Sequence, residues 1–523
     1  MRNDAPEHSG YHLRTAPRGR AQSEQCGVCR VSAIRVVLGI DIGTSSSKGV
    51  VTGFDGQIVR SATRNHDVER PAPGHVQISP DLWWEEFVAI ATELTCPGDV
   101  DVVAVGVSGM GPCVLLTDAD SRPLRPAILY GVDTRATEQI DKLNTELGAE
   151  RILRRCGSAL SSQAAGPKIA WVRDNEPELF AQARRLYMPA SWLVFQLTGE
   201  YVLDYHSASQ CTPMFDAADL TWYQPWIDLI APALELPALA WAGSQAGVTS
   251  RAVAGIRPGV PVITGTIDAW AEAVSAGAHN VGDLMLMYGT TMFLINTVAD
   301  RLTDESMWGT AGALEGTHSL AGGMATSGAI TTWLRELTGA PDYHSLLAEA
   351  AASGPGAGGL LVLPYFAGER TPLLDPDARG VIAGLTLTHT RGDLYRAVLE
   401  SVALGVRHNI DVLRAAGAAI DRVVAVGGGT TGGLWTQIVS DVTGLAQVIP
   451  TNTIGASYGV ALLAAQLIDD VHIDDWNPAA GFTVPDPNTR AGYDELYGLY
   501  LDLYPASRDI VHALANRAHR KNP

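Results

Sequence analysis

The chain is poor in the features that mark extracellular, membrane and nucleic-acid-binding proteins. It has six cysteines in 523 residues, which do not resemble a disulfide framework, so we predict a cytoplasmic location. No uncharged apolar run approaches the ~18 residues that span a bilayer, so we expect no membrane partner. The chain has 37 lysines and arginines against 56 aspartates and glutamates, a net charge of −19. That charge repels polyanions and predicts no nucleic-acid partner.

Cys26 and Cys29 form a C-x-x-C pair with the spacing of a metal or redox site. No second pair or nearby histidine run completes a zinc site, and no dinucleotide fingerprint follows the first strand. Both cysteines lie in residues 1–33, which are rich in Arg, Gly, Ser and Pro and lack the apolar stretch of a signal peptide. We therefore predict that residues 1–33 are a disordered extension and that the pair is incidental.

Length and apolar content point to several domains. A chain of 523 residues with 46% hydrophobic residues is too long to fold around a single hydrophobic core. Apolar runs such as Ile34–Ile40, Asp283–Tyr288 and Val423–Val426 predict buried strands, and helical patterns alternate with them. One long helical region is expected through the 170s to 190s. This alternation predicts an α/β fold.

Two local signals predict particular turns and caps. Asp55-Gly56 lies between two apolar runs, which is typical of a β-hairpin. Thr390 and Asp393 have the spacing of a capping box before a helix with an apolar stripe. That stripe predicts core packing and not a binding face.

Three of the predicted strands lead into turns rich in glycine and hydroxyl groups: Asp41–Lys48, Gly289–Thr291 and Gly427–Gly433. Phosphoryl transfer needs donors around the phosphates, a divalent metal and a base beside the accepting hydroxyl. In the first turn the glycine lets backbone approach phosphates, hydroxyls and Lys48 can donate, and Asp41 can hold hydrated Mg²⁺. A simple Asx or Ser/Thr turn at a strand end is the structural alternative.

The order of these turns resembles that of the actin, hexokinase and heat-shock chaperone ATPase superfamily. A longer stretch is similar to the C-terminal signature of the FGGY carbohydrate kinases at every specified position: Gly380-x-Ile382-x-Gly384-Leu385, seven residues, then Asp393-Leu394-x-x-Ala397-Val398-Leu399-Glu400. The resemblance runs from Ile34 to about Pro505. It implies two duplicated ribonuclease H-like domains of the actin type with a cleft for ATP and sugar between them. We place them at residues 34–280 (sugar, phosphate and metal side) and 281–515 (nucleotide side).

The resemblance also implies roles for single residues. The family's catalytic base corresponds to Asp268, whose carboxylate would take the proton of the attacking sugar hydroxyl. A helix N-cap is the alternative role for Asp268. ATP is the expected cofactor, with Mg²⁺ on Asp41. The residues expected to contact nucleotide are Thr44, Ser45, Lys48, Gly289, Thr290, Gly428, Gly429 and Gly432.

The chain departs from the family at both ends of the cleft. Relatives often have Ser or Asn where this chain has Gly432, so contacts with the base are expected from backbone and neighbouring residues. The sugar side resembles xylulose kinases, with Met110, Trp83 and Asp133 as expected substrate residues beside Asp268. Xylulose kinases usually have histidine where this chain has Gly111. Met110 has packing as its alternative, and Asp133 has an ion pair with Arg135.

We therefore expect an ATP-dependent kinase for a small sugar, with D-xylulose as the first candidate and D-xylulose 5-phosphate as product. D-ribulose, another ketose or a sugar alcohol are the alternative substrates. A nucleotide-binding regulator of the same fold is the alternative function, and the presence of both Asp41 and Asp268 argues against it. A homodimer is left open.

Overall fold

The computed structural model describes residues 33–96 and 98–519. The extension predicted at residues 1–33 thus lies outside the described residues, apart from Ala33, and so do Cys26 and Cys29. The strands are β1 (Ile34–Ile42), β2 (Ser46–Thr52), β3 (Ile58–Asn65), β4 (Gln77–Ile78), β5 (Val100–Gly109), β6 (Leu115–Thr117), β7 (Ala127–Ile128), β8 (Arg185–Tyr187), β9 (Val202–Asp204), β10 (Phe215–Asp216), β11 (Thr221–Trp222), β12 (Ala238–Ala240), β13 (Gln245–Val248), β14 (Pro261–Ile263), β15 (Thr266–Ile267), β16 (Asp283–Tyr288), β17 (Met292–Val298), β18 (Trp308–Ala311), β19 (His318–Met324), β20 (Leu361–Leu363), β21 (Val381–Ala383), β22 (Arg422–Val426), β23 (Gln447–Pro450) and β24 (Ala479–Thr483).

The helices are α1 (Pro80–Thr95), α2 (Thr137–Leu143), α3 (Ala149–Cys156), α4 (Ala165–Asn175), α5 (Pro177–Phe180), α6 (Pro189–Thr198), α7 (Tyr205–Ser209), α8 (Gln224–Ile230), α9 (Asp268–Ser275), α10 (Gly328–Leu337), α11 (Tyr343–Ser353), α12 (Arg391–Ala415), α13 (Leu434–Thr443), α14 (Ala456–Ala465), α15 (Ile473–Trp476) and α16 (Arg490–His519). A π-helical turn at Asn144–Gly148 joins α2 to α3. Among the helices of residues 33–96 and 98–519, none combines the length and apolarity needed to cross a membrane.

Two seven-stranded sheets repeat one arrangement. The first has the order β13-β14-β5-β1-β2-β3, with β15 also on β5, and the second has the order β24-β23-β22-β16-β17-β19-β18. The antiparallel strands are β3, β2 and β1 in the first sheet and β18, β19, β17 and β16 in the second. In each sheet they are followed by two parallel strands and an antiparallel edge strand. The α/β class with two duplicated domains is therefore confirmed. The boundary that we place at residue 280 stays a prediction; it falls between α9 and β16.

Helix α14 comes late in the chain but packs on the first sheet. Every residue of α14 is buried. Gly39 and Gly106 are opposite each other on β1 and β5. A Cβ on Gly39 would lie 2.0 Å from the Ser457 carbonyl oxygen, and one on Gly106 would lie 2.0 Å from that of Val460. The absence of side chains at both glycines therefore lets the helix backbone reach the sheet.

Gly39→Ala is expected to lower the free energy of unfolding by about 1–3 kcal/mol, the usual cost of overpacking, because a backbone oxygen must move. Chemical denaturation of the wild type and the variant measures the difference. Gly498→Ala on α16 is the matched control, since no atom lies within 4 Å of the added Cβ. Equal stability of the Gly39 variant and the wild type would show that α14 does not pack this closely.

Two of the local predictions are confirmed, and one is wrong. The hairpin between β2 and β3 is confirmed, with Gly56 at φ 78° in its turn. The capping box is confirmed: the Thr390 N–H donates to Asp393 Oδ2 at 2.7 Å, and the side chain of Thr390 caps α12. The single long helical region was wrong, because β8 interrupts it between α5 and α6 to pair with β6.

Candidate active site

Acidic side chains gather where β1 and β15 end on either side of β5. Asp41 and Thr266 are both register partners of Ser108 on β5. Asp41 Oδ1 accepts a 2.9 Å hydrogen bond from Ser108 Oγ. Asp268 opens α9 directly after β15, and its Oδ1 accepts from the Ala269 N–H at 2.8 Å. The N-cap of α9 is Ile267 and not Asp268, so the capping alternative for this carboxylate is wrong.

The carboxyl groups of Asp41, Asp268 and Glu272 share a low-dielectric environment. Burial is the largest cause that raises the pKa of each, and for Glu272 it raises the pKa to about 7. The charge of Asp268 raises the pKa of Asp41 and Glu272 further, while Lys48 lowers both. Excess negative charge on oxygen ligands favours a hard divalent cation.

These residues fit Mg²⁺ bound together with phosphates. Mg²⁺ is usually held by one or two carboxylates, waters and substrate phosphate oxygens, not by a complete protein cage. In the part of the chain that the structure describes, no group of three or more His, Cys, Asp or Glu side chains is arranged to hold a metal by itself. Asp41, with one oxygen bonded to Ser108, suits the single-carboxylate arrangement.

The first hairpin, between β1 and β2, presents donors at its tip. The Gly43 N–H donates to the Ser46 carbonyl at 3.1 Å and closes the turn. The His66 N–H binds the Ser45 carbonyl at 3.0 Å and so fixes the turn against the start of the next loop. Ser45 and Lys48 are exposed. Their hydroxyl and ammonium groups are therefore free to meet an anion.

Tyr130 contacts the same hairpin, and sequence analysis missed it. Its hydroxyl lies 2.8 Å from Thr44 Oγ1, between residues 86 apart in the chain. Burial raises the pKa of Tyr130 to about 12, its bond to Thr44 lowers it, and the charge of Asp268 raises it. The Thr44 hydroxyl therefore has a protein partner, and Tyr130 senses the charge of Asp268.

The second hairpin, between β16 and β17, is held by the start of α10. The Ser327 and Ala329 N–H groups donate to the Thr290 carbonyl at 3.0 and 3.1 Å. The Gly328 N–H donates to the Gly289 carbonyl at 2.9 Å. Because the carbonyls point into the helix, the exposed Thr290 side chain points away from these bonds. The hairpin is thus rigidly placed with a free hydroxyl.

The third turn lies beside the second hairpin, since β22 is parallel to β16. Gly427 has φ 93°, and a Cβ there would be 2.6 Å from the Tyr288 carbonyl oxygen. A Cβ on Gly429 would meet that of Tyr288 at 2.8 Å, whereas Gly428 has open space around it. Gly432 has φ 85°. The turn therefore presents bare backbone, as a loop that approaches a nucleotide requires.

The sugar-side residues next to Asp268 are tightly packed. Met110 is fully buried directly after β5, and its N–H donates to the Ile42 carbonyl at 2.7 Å. A Cβ on Gly111 would lie 2.6 Å from Ile267 Cγ1. The Ile267 side chain thus fills the space that a residue larger than glycine would need. Met110 stays a predicted pocket residue.

Two of the predicted substrate residues, Asp133 and Trp83, make structural contacts. Asp133 is fully buried; its carboxylate accepts from the Val76 N–H at 2.5 Å and from the Arg135 side chain at 2.7–3.0 Å. The structure contains the ion pair that was the alternative, and Asp133 orders this loop; its contact with substrate stays a prediction. Trp83 belongs to the apolar core around α1, is fully buried, and its indole N–H has no partner in the structure. Its packing is that of a core residue, and its contact with substrate stays a prediction.

Asp204 is a further site residue that received no role from the sequence. Its Oδ2 accepts from Thr266 Oγ1 at 2.7 Å and from the Ser207 N–H at 3.2 Å. It therefore fixes β15, which carries the chain into Asp268. The signal was a carboxylate after a short strand, which is too common to single out.

Comparison with known proteins agrees with this arrangement. The model of the FGGY family of carbohydrate kinases, N-terminal domain, matches residues 36–275, and the C-terminal domain matches residues 284–467. Xylulose kinase of Escherichia coli (strain K12) is 32% identical over 448 residues, 82% of this chain and 89% of that protein. Glycerol kinase of Nocardia farcinica (strain IFM 10152) is 30% identical over 462 residues, 82% of this chain and 90% of that protein.

The solved structure of xylulose kinase from Rhodospirillum rubrum is similar with a TM-score of 0.86 at 31% identity, and the match covers 91% of this chain and 100% of that one. This similarity extends over both duplicated sheets and agrees with the actin-type, two-domain arrangement. The chain therefore belongs to the FGGY family of carbohydrate kinases, which phosphorylate sugars with ATP.

Proposed function

We propose that this carbohydrate kinase transfers the γ-phosphoryl group of ATP to the C5 hydroxyl of D-xylulose. The observation that carries the proposal is the position of Asp268. It lies at the same edge of the first sheet as Asp41, and it directly follows Ile267, the residue that packs against Gly111. The xylulose kinases among the similar proteins support the choice of sugar.

The proposed base is Asp268. The Ala269 N–H holds Oδ1 at 2.8 Å, which leaves Oδ2 to take the hydroxyl proton. As the sugar oxygen bonds to the γ-phosphorus, the bond from phosphorus to the bridging oxygen breaks, and its electron pair stays on ADP. Burial raises the pKa of Asp268 above its usual value, toward the operating pH near which a base is effective in proton transfer.

The proposed phosphate contacts come from both hairpins. Ser45 and Lys48 are exposed on the first hairpin, and Thr290 is exposed on the second. The backbone of Gly428, Gly429 and Gly432 would line the nucleoside, and Asp41 would hold Mg²⁺. Bound Mg²⁺ neutralises charge on the phosphate oxygens. A cleft between two such domains is expected to close on its ligands.

A sugar alcohol is the second candidate substrate. Gly111 offers no side chain to a substrate hydroxyl, and a glycerol kinase is among the similar proteins. Discrimination between sugars depends chiefly on buried polar contacts. A substrate with fewer hydroxyls than a ketopentose would lose least from the missing contact. D-ribulose and other ketoses remain alternative substrates.

A screen of ketopentoses, aldoses and polyols for ATP-dependent ADP release tests the proposal. We expect D-xylulose to have the highest kcat/KM. A kcat/KM for glycerol or D-ribulose that is about tenfold higher, which corresponds to 1.4 kcal/mol of transition-state binding, would show that the substrate is wrong and the kinase activity right. Absence of transfer to every acceptor would contradict the proposed activity.

Gly111→Ala is expected to lower kcat/KM for the sugar by about tenfold or more, because a small displacement beside the base is costly. The added Cβ must push the Ile267 side chain, which precedes Asp268 in the chain. Adding Ile267→Val should restore part of the loss in a double-mutant cycle. Strictly additive losses in the double variant would show that the two side chains do not compete for one space.

A further inference from the structure

Arg370 lies at the end of the second sheet where the second phosphate hairpin begins. Its Nη2 donates to the Met324 carbonyl at 2.9 Å. Met324 is opposite Met292 in the ladder of β19 and β17, and Met292 directly follows the hairpin Gly289–Thr291. The guanidinium is therefore fixed beside the hairpin that the proposed function assigns to phosphate.

The charge of Arg370 has no carboxylate partner within 4 Å among the residues that the structure describes. The neighbouring Glu369 directs Oε1 to the Ala325 and Arg370 backbone N–H groups, each at 2.7 Å. Arg370 Nε is buried and unpartnered, and the guanidinium lies 5.8 Å from the centre of the Trp308 ring. An arginine this enclosed is usually paired with an anion.

The charge of Arg370 also acts on a residue of the first half of the chain. Burial raises the pKa of Tyr130, and the charge of Arg370 acts against that rise while the charge of Asp268 adds to it. Tyr130 is the residue whose hydroxyl contacts Thr44 on the first phosphate hairpin at 2.8 Å. The guanidinium, which is fixed beside the second hairpin, thus also acts electrostatically on the residue that contacts the first hairpin.

We propose that Arg370 binds the phosphoryl group in transfer and stabilises the charge that spreads over its equatorial oxygens. The inference rests on the proposed function. As the sugar oxygen bonds to phosphorus and the bond to the ADP oxygen breaks, the hydroxyl proton passes to Asp268, and the negative charge stays on the phosphoryl and ADP oxygens. A planar fork of N–H donors that the Met324 carbonyl holds in place suits that charge.

Arg370→Met and Arg370→Lys test the role, with the acceptor sugar that the wild type uses best. We expect kcat to fall by about 10²-fold or more for methionine, as for other removed donors to a transition-state charge, and by less for lysine. The KM for sugar and the Kd for ATP should change by less than about threefold, because the contact strengthens in the transition state.

Arg379→Met is the matched control. Arg379 lies on the same loop but donates to the Pro376 and Ala378 carbonyls, so its loss should leave kcat within about twofold, as for surface changes in general. Arg370→Ala adds a readout that a structural role would not move: millimolar guanidinium should restore part of kcat. The same addition should restore nothing in Asp268→Ala.

Three results would overturn the inference while the wild type remains an active kinase. The first is a normal kcat in Arg370→Met. The second is a raised KM for sugar at unchanged kcat, which would make Arg370 a sugar ligand. The third is a loss in all Arg370 variants that follows a lower melting temperature and is not restored by guanidinium. An inactive wild type would refute the proposed function instead, and the Arg370 inference with it.

Discussion

Asp268→Asn is expected to lower kcat for sugar phosphorylation by ~10²–10⁴, the usual effect of losing a general base. The amide can still accept the Ala269 N–H bond at the position of Oδ1, so the fold of the site should persist. It cannot accept the hydroxyl proton. Initial rates with saturating sugar measure the loss of kcat. A titration with ATP·Mg²⁺ measures nucleotide affinity, which should stay within about threefold of the wild type.

Glu272→Gln is the matched control for this variant. Glu272 lies one turn along α9 and shares the raised pKa that burial causes, but it is not assigned to the reacting hydroxyl. The kcat of Glu272→Gln should fall by less than about tenfold, which corresponds to 1.4 kcal/mol in activation free energy. If Glu272→Gln lost as much activity as Asp268→Asn, the assignment of Asp268 rather than Glu272 as the base would be contradicted.

Asp41→Asn is expected to change the metal dependence of the reaction. The amide keeps an oxygen that can accept from Ser108 Oγ, but it removes the charge that we assign to hydrated Mg²⁺. The half-saturating Mg²⁺ concentration should rise by about tenfold or more, since Mg²⁺ prefers charged oxygen ligands. Rates measured across a Mg²⁺ titration give this value. Unchanged dependence in Asp41→Asn, with a shift in Asp268→Asn, would reverse the two assignments.

The parts of the site made by neighbours in sequence could be predicted. A buried strand ending in Asp41, followed by glycine and hydroxyl residues, is one local unit, and the structure forms it as β1 and the first hairpin. The bare third turn is likewise contained in Gly427–Gly433, and its strand β22 lies where the apolar run Val423–Val426 indicated. Local hydrogen bonding and strand pairing decide both units.

The parts made by distant residues could not be predicted. Tyr130 is 86 residues from Thr44, and Arg370 lies beside the second hairpin only because its loop folds back on β19. Asp133 and Trp83 had plausible residue types for a sugar site, but tertiary packing directs the first to Arg135 and the second into the core. A side chain's direction is set by such packing, and one sequence carries no direct signal of it.

The most direct test follows the labelled phosphoryl group in a single turnover. Wild-type enzyme in excess over [γ-³²P]ATP, mixed rapidly with D-xylulose, should form labelled D-xylulose 5-phosphate at a rate no slower than steady-state turnover. Asp268→Asn should bind the same ATP and form labelled sugar at least about 10²-fold more slowly. Equal transfer by the two proteins, or label released only as inorganic phosphate by the wild type, would contradict a sugar kinase whose base is Asp268.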